Sequence, residues 1–470
     1  MKSMRKRERR SESTLKPYPA YKDSGVEWLG KVPEHWEVQK LRTVLRDHTK
    51  RNRPDLQLLS VVREKGVIVR DISNQDENHN FIPDDLTNYK VVKTGQFVMN
   101  KMKAWQGSYG VSYHDGIVSP AYFVFDLDGV FDDFFNIAIR SKTYVAFFTQ
   151  ASDGVRTGQW DLSQARMRDI SVALPPLSEQ TSIVRYLDYV NRRVQRLVSM
   201  KQKMIALLTE QKQVIISRAV TRGLNPYVSL KDSGIEWLGE VPEHWEVQKL
   251  RTVLRDHTKR NRPDLQLLSV VREKGVIVRD ISNQDENHNF IPDDLTNYKV
   301  VKTGQFVMNK MKAWQGSYGV SYHDGIVSPA YFVFDLDGVF DDFFNIAIRS
   351  KAYVAFFTQA SDGVRIGQWD LSQARMRNIS VALPPLHEQT AIVEHIEKAT
   401  AATDAAITRA KREIELLNEY QTRLTTDVAT GKLDVRKAAE ALPEIDPLEN
   451  AVNTPEPEDT FYTDAADNGE

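Results

Sequence analysis

Lys22-Asp-Ser-Gly-Val-Glu-Trp-Leu-Gly30 is followed by Val32-Pro-Glu-His-Trp36, and both stretches return as Lys231-Asp-Ser-Gly-Ile-Glu-Trp-Leu-Gly239 and Val241-Pro-Glu-His-Trp245. Outward from this pair, residues 22–181 reappear as residues 231–390 at an offset of 209. Only six of the 160 positions differ: Val26/Ile235, Lys31/Glu240, Thr143/Ala352, Thr157/Ile366, Asp169/Asn378 and Ser178/His387. The period is too long for a solenoid or a propeller and is domain-sized, so the chain carries a duplicated domain. Identity then stops abruptly. Over the next forty positions, 182–221 against 391–430, only seven residues match. A near-copy beside a diverged neighbour is the mark of a block that moved as a cassette, which requires the block to fold largely by itself.

The diverged segments read as long helices. Pro175-Pro176 and Pro384-Pro385 punctuate the cassette ends. After them Ile183, Leu187, Val190, Val194, Leu197, Lys201, Met204, Leu208, Gln211 and Ile215 step by four and three residues, a heptad seam with polar breaks. The second seam is poorer: Ile392, Ile396, Ala399, Thr403, Ile407, Ala410, Ile414, Leu417, Gln421 and Leu424. Residues 182–222 carry a net +7 and residues 391–431 a net −2, which suits pairing with each other. The alternative is two amphipathic helices packed each on its own domain. Gly223-Leu-Asn-Pro226 ends the first helix.

The division expected is a basic tail (1–21), a mixed α/β domain (22–177), a long helix (178–222), a linker (223–230), a second α/β domain (231–386), a second long helix (387–431) and an acidic, disordered tail (432–470). The tails follow from charge: residues 1–22 carry +6 and residues 434–470 carry −9, so the middle of a chain with net charge −1 is nearly neutral. Inside the cassette, strands are expected over 57–62, 66–72, 97–102 and 117–126, a buried helix over 131–150, and a short strand over 167–174. The fold class expected is therefore α+β: two mixed α/β domains alternating with two long helices that pair with each other.

The 470 residues include no cysteine, which removes disulfides, thiolate nucleophiles and cysteine-ligated metals and fits a reducing cytoplasm. No run of about 18 apolar residues exists, so no membrane partner is expected. No G-x-x-x-x-G-K-[ST], G-x-G-x-x-G or H-E-x-x-H pattern is present. No catalytic residue and no metal site is expected. Three clusters suit binding instead. Lys50-Arg51-Asn52-Arg53 is a basic turn. Asn100 to Tyr109 holds Lys101, Lys103, Trp105, Gln106 and Tyr109. Gly154 to Trp160 is a glycine-rich loop with Arg156, Gln159 and Trp160. Their copies are Arg260, Arg262, Lys310, Lys312, Trp314, Gln315, Tyr318, Arg365, Gln368 and Trp369. Arg and Lys suit phosphates and guanine edges, and Gln suits adenine edges. The alternative makes the tryptophans core and the basic turns solvated surface. A nuclease or methyltransferase in its own right, and a scaffold for sugar or protein, stay as competing classes.

With these residues in view, the chain resembles the type I restriction–modification specificity subunits (the HsdS family). The likeness lies in Lys16-Pro-Tyr-Pro-Ala-Tyr-Lys-Asp-Ser-Gly-Val-Glu-Trp-Leu-Gly30 with Val32-Pro-Glu-His-Trp36, in Leu174-Pro-Pro-Leu-Ser-Glu-Gln-Thr181 and its copy at Leu383 to Thr390, and in Gly116-Ile-Val-Ser-Pro-Ala-Tyr122. It covers nearly all of residues 16–433. The resemblance implies that the two long helices pair as an antiparallel coiled coil and act as a spacer, with pseudo-two-fold symmetry, in a non-catalytic subunit whose two domains (22–177 and 231–386) are recognition domains, each reading half of a bipartite duplex DNA target. It implies two adenine methyltransferase subunits using S-adenosylmethionine, and motor–nuclease subunits using ATP and Mg2+, as partners. Such subunits usually carry two different recognition domains. Near-identical ones lead to the expectation of a gapped palindrome, with Thr157/Ile366 the one difference inside a candidate reading loop.

Overall fold

The computed structural model describes residues 15–443 except 64, 72–81, 157–158, 237, 273, 281–290, 352, 355–356, 358–360 and 366–367. The chain forms two compact units whose described parts are residues 15–200 with 413–443, and residues 201–412. These boundaries run through both long helices. Each unit holds one α/β domain, the start of the helix that follows it, and the end of the other helix.

In the first unit a four-stranded antiparallel sheet runs in the order Leu45–Asp47, Tyr122–Leu127, Phe97–Asn100 and Tyr109–Val111. Its strands are apolar on both faces, as period-2 alternation requires when both sides are covered. Phe97, Met99 and Phe125 face the main core with Phe134, Phe135, Ala138 and Ile139 of the helix Asp132–Ile139. Val98 and Val124 face a second core with Leu59, Val61, Val67, Val92 and Val118. The latter come from the hairpin Leu59–Val62/Gly66–Val69 and the pair Lys90–Val92/Gly116–Val118. Glu37–Lys40 pairs with Ser171–Leu174, tying the beginning of the α/β domain to its end. The second unit repeats this architecture, with the sheet order Leu254–Asp256, Tyr331–Leu336, Phe306–Asn309 and Tyr318–Val320.

Three expected elements are subdivided. The 117–126 strand is two, Gly116–Val118 and Tyr122–Leu127, separated at Ser119-Pro120, where proline has no N–H for a ladder. The 131–150 helix breaks at Arg140-Ser141 into Asp132–Ile139 and Lys142–Ala151, and the Arg140 guanidinium reaches the carbonyls of Tyr109 and Arg63 (2.5 and 2.9 Å). The 167–174 strand begins as a helical turn, Gln164–Arg168, capped by the Ser163 hydroxyl.

Gly116 fits only as glycine. A Cβ there would lie 2.5 Å from the Gln57 carbonyl oxygen and 2.6 Å from Leu59 Cγ, and the same distances recur at Gly325 with Gln266 and Leu268. Gly116→Ala is therefore expected to cost about 1–3 kcal/mol, as overpacking does. A denaturation midpoint unchanged from wild type would contradict the packing described.

The long helices are Leu177–Arg222 and Leu386–Ala429, of 46 and 44 residues. At ~1.5 Å rise per residue each is about 65–70 Å long. They pack together, the start of each against the end of the other. In the first unit Ile183 and Leu187 are fully buried in one cluster with Leu424, Val428 and Ala429. In the second, Ile392, Val393 and Ile396 are buried with Ala219 and Val220. Lys212 and Asp404 pair at 2.7 Å, so the opposite helix charges do meet. Val194 is buried, and Val190, Leu208, Ile215, Ile407, Ile414 and Leu417 are half-buried. Leu197 and Met204 depart from the expected seam, being 43% and 41% exposed. A helix pair covers only a strip of each surface, and a heptad count does not say where the strip narrows.

The tails are shorter than expected. Tyr18 is 4% exposed, and Leu15 and Tyr21 pack against the first core. Past the second helix, Val435 and Ala439 are buried and a short helix forms at Arg436–Glu440. The Asp434 N–H donates to the Lys16 carbonyl at 2.8 Å, so the two ends of the described chain close on each other. The physical reason is apolar content: net charge describes the tails, but Tyr18, Val435 and Ala439 supply enough apolar surface to bind these segments to the core. Residues 1–14 and 444–470 lie outside the described residues.

Candidate nucleic-acid interface

The fold brings the three basic stretches of each α/β domain to one region. Asn52 sits in the left-handed conformation (φ +64°), which asparagine tolerates better than most residues, and turns the chain between Arg51 and Arg53. The turn is held to the strand Lys90–Val92 by backbone bonds from Asn52 to Thr87 (3.0 Å) and from Val91 to Lys50 (2.8 Å). Arg51 faces Lys90 across an isolated bridge and donates to Asn88 Oδ1. Arg53 is exposed but already forked onto Asp55, at 2.7 and 2.6 Å, and that bond holds the Asp55 carboxyl below the usual carboxylate range.

The second stretch leaves the sheet at Asn100, whose side chain accepts the Met102 N–H at 3.1 Å. Ala104–Gln106 is a single 3-10 turn closed by Gly107 at φ +91°, a conformation open to glycine and strained for other residues. Lys103 is exposed and Lys101, Trp105 and Gln106 are half-buried. Lys312, Lys310, Trp314 and Gln315 repeat this. Tyr109 and Tyr318 are elsewhere. Both are fully buried and donate their hydroxyls to the carbonyls of Ile139 and Ile348 at 3.2 Å, and the Tyr109 ring centroid is 4.6 Å from that of Phe148. A tyrosine reads equally as a stacking platform or as core; here burial decides for core.

The third stretch is a hairpin, Ser152–Arg156 with Gln159–Leu162, bulged between Gly154 and Arg156, and its second strand runs beside the 3-10 turn. The side chains of Arg156, Gln159 and Trp160, of Arg365, Gln368 and Trp369, and the Thr157/Ile366 difference lie outside the described residues.

A residue that motif reading missed links the first two stretches. Lys90 donates Nζ to the Tyr122 carbonyl and lies 5.8 Å above the Phe123 ring. Burial lowers its pKa, as do the charges of Arg51 and then Lys101, against a raising influence from Asp47. Lys299 has the same setting, with Arg260, Lys310, Asp256, Tyr331 and Phe332. A lone lysine opening a short strand gives no sequence signal. Only the fold places it among other cations. None of the six differing positions belongs to this cluster.

Among the described residues no three His, Asp or Glu side chains gather as a metal site. His48 Nδ1 lies 3.1 Å from Asp126, a carboxylate–imidazole pair, and Asp126 is held below its usual pKa against burial by bonds from Gln96 and His48. The imidazole's other nitrogen is buried with no hydrogen-bond partner, so no hydroxyl nucleophile rests on it. A cleft of about 410 Å3 beside Trp28, Lys40 and Arg166 holds one carboxylate, Asp169, paired with Arg42 at 2.9 Å. No described helix is long and apolar enough to cross a membrane.

The chain thus combines two α/β domains with two long helices that pack together. No family model matches the chain. It is 26% identical over 305 residues to the type I restriction enzyme MjaVIII specificity subunit of Methanocaldococcus jannaschii, an alignment covering 60% of this chain and 66% of that protein. It is 24% identical over 287 residues to the putative type I restriction enzyme MjaX specificity subunit of the same organism, covering 59% and 63%. The chain thus spans just under two thirds of the length of these relatives. A solved chain from work on complex assembly and conformational transition of the type I R-M system superposes with a TM-score of 0.57 at 15% identity, over 86% of this chain and 99% of that one, and so shares the fold. The resemblance is to type I restriction enzyme specificity subunits.

Proposed function

We propose that this chain is the DNA-specificity subunit of a type I restriction–modification complex. Each recognition domain reads one half of a bipartite duplex target, and the long helices set the spacing and dock two adenine methyltransferase subunits. The chain does no chemistry itself. S-adenosylmethionine, ATP and Mg2+ belong to the methyltransferase and motor–nuclease partners, and the complex works in the cytoplasm. The observation that carries this is the basic region built twice, with Arg51, Lys90 and Lys101 in one unit and Arg260, Lys299 and Lys310 in the other. Cations of this kind neutralise backbone phosphates, while side chains on neighbouring loops read base edges. Two readers of the same sequence predict a target whose halves are inverted copies, separated by a fixed gap.

The test is selection of bound duplexes from a random library by the full chain assembled with its modification subunit. Enrichment of a two-part sequence supports the reading. Retention of duplexes without any enriched sequence would contradict it and favour the scaffold alternative.

A further inference from the structure

Lys90 is unusual among the cations of the recognition domain because the fold immobilises it. Its Nζ is tied to the Tyr122 carbonyl and lies 5.8 Å from the centroid of the Phe123 ring. Tyr122 is registered directly opposite Asn100, the residue before Lys101. Arg51, bridged to Lys90 through the backbone, is anchored by Asn88. Arg51 and Lys101 both act on the Lys90 charge, so three cations from separate segments of the chain gather in one region. The acid acting there, Asp47, is already engaged by Arg168 at 3.1 Å and by Gln164 at 2.8 Å. The same set recurs in the second unit, where Asp256 is engaged by Arg377 and Gln373. Cations gathered in a half-buried place make a site that favours an anion.

We infer that Lys90 with Arg51 and Lys101, and Lys299 with Arg260 and Lys310, each form a preorganised clamp for one phosphate of the DNA backbone. This rests on the DNA-specificity reading above and deepens it. The clamp positions the duplex beside the 3-10 turn and the hairpin, and it carries no base information.

The test measures binding of the full chain to its selected target, and to a duplex with scrambled half-sites, across a series of salt concentrations. Each backbone phosphate neutralised contributes about 0.9 to the slope of log K against log salt. Lys90→Gln with Lys299→Gln is expected to reduce the slope by about 1.8 in total and to weaken both duplexes equally, leaving their ratio unchanged. Lys90→Arg with Lys299→Arg is expected to keep the slope. Arg51→Gln with Arg260→Gln changes only exposed side chains and is expected to lower the slope as the lysine pair does, which keeps the test sound if the glutamine variants of the lysines fail to fold. A slope unchanged in folded Lys90→Gln/Lys299→Gln or Arg51→Gln/Arg260→Gln protein overturns the clamp. A loss confined to the selected target also overturns it, by making these residues base readers. Saturable binding of inorganic phosphate that the lysine variants abolish, with the DNA slope intact, overturns it in favour of a free-phosphate site. Wild-type protein with no salt-dependent duplex binding overturns the DNA reading itself, an outcome separate from the other three.

Discussion

Glu179→Ala is expected to destabilise the first unit by about 3–5 kcal/mol, and Glu388→Ala to cost the second unit only about 1 kcal/mol, although the two glutamates occupy equivalent positions. The side chain of Glu179 is 5% exposed. Its Oε1 accepts the Tyr18 hydroxyl at 2.7 Å and the Trp36 indole N–H at 2.9 Å, and its Oε2 lies 2.7 Å from His35 Nε2. Removing the carboxylate leaves two buried donors without partners. Glu388 keeps only the His244 contact at 2.7 Å and is 20% exposed. Trp245 Nε1 is already buried without a partner, and Tyr227, which takes the place of Tyr18, is 92% exposed. The difference comes from what lies outside the repeat. In the first unit the two ends of the described chain cover the site, with Arg436 paired to Asp434 at 2.7 Å and lying 5.1 Å above the Tyr18 ring. Denaturant unfolding of both single variants checks this, and equal losses would contradict it.

Tyr109→Ala is expected to cost about 3–5 kcal/mol, the range for emptying a buried aromatic site. Tyr109→Phe removes only the bond to the Ile139 carbonyl and is expected to cost about 1 kcal/mol while leaving DNA affinity unchanged. The pair separates the core role from the contact role that the surrounding sequence suggests. A phenylalanine variant of normal stability but with lost DNA binding would return Tyr109 to the interface. The same holds for Tyr318, whose ring centroid lies 4.5 Å from that of Phe357.

What could be read in the sequence was what repeats. Two cassettes, their mixed α/β character and the paired helices follow from identity at a fixed offset and from heptad spacing, because those patterns express burial directly. The ends of the seam, Ile183 and Leu187 with Leu424, and Ile392 with Ile396, are buried as the spacing implies. The exposed Leu197 and Met204 show where the spacing stops being informative, since period alone does not say how wide a face the partner covers. Among the site residues, the basic turn at Arg51 and the Lys101–Gln106 segment were legible because charge and glycine cluster in sequence. Lys90 was not, because its significance depends on Arg51 and Lys101 arriving from other strands. Tyr109 was misplaced because an amphipathic ring carries no local sign of which way it faces. The ends 15–21 and 432–443 were hidden by the net charge of the longer tails that contain them.

The central claim is that two near-identical domains read two copies of one half-site. Mapping methylated adenines across the genome of cells that express this chain with its modification subunit tests it most directly. New methylation is expected at a single gapped motif whose halves are inverted copies of each other. Methylation at a motif with two unrelated halves would contradict identical readout by residues 22–181 and 231–390.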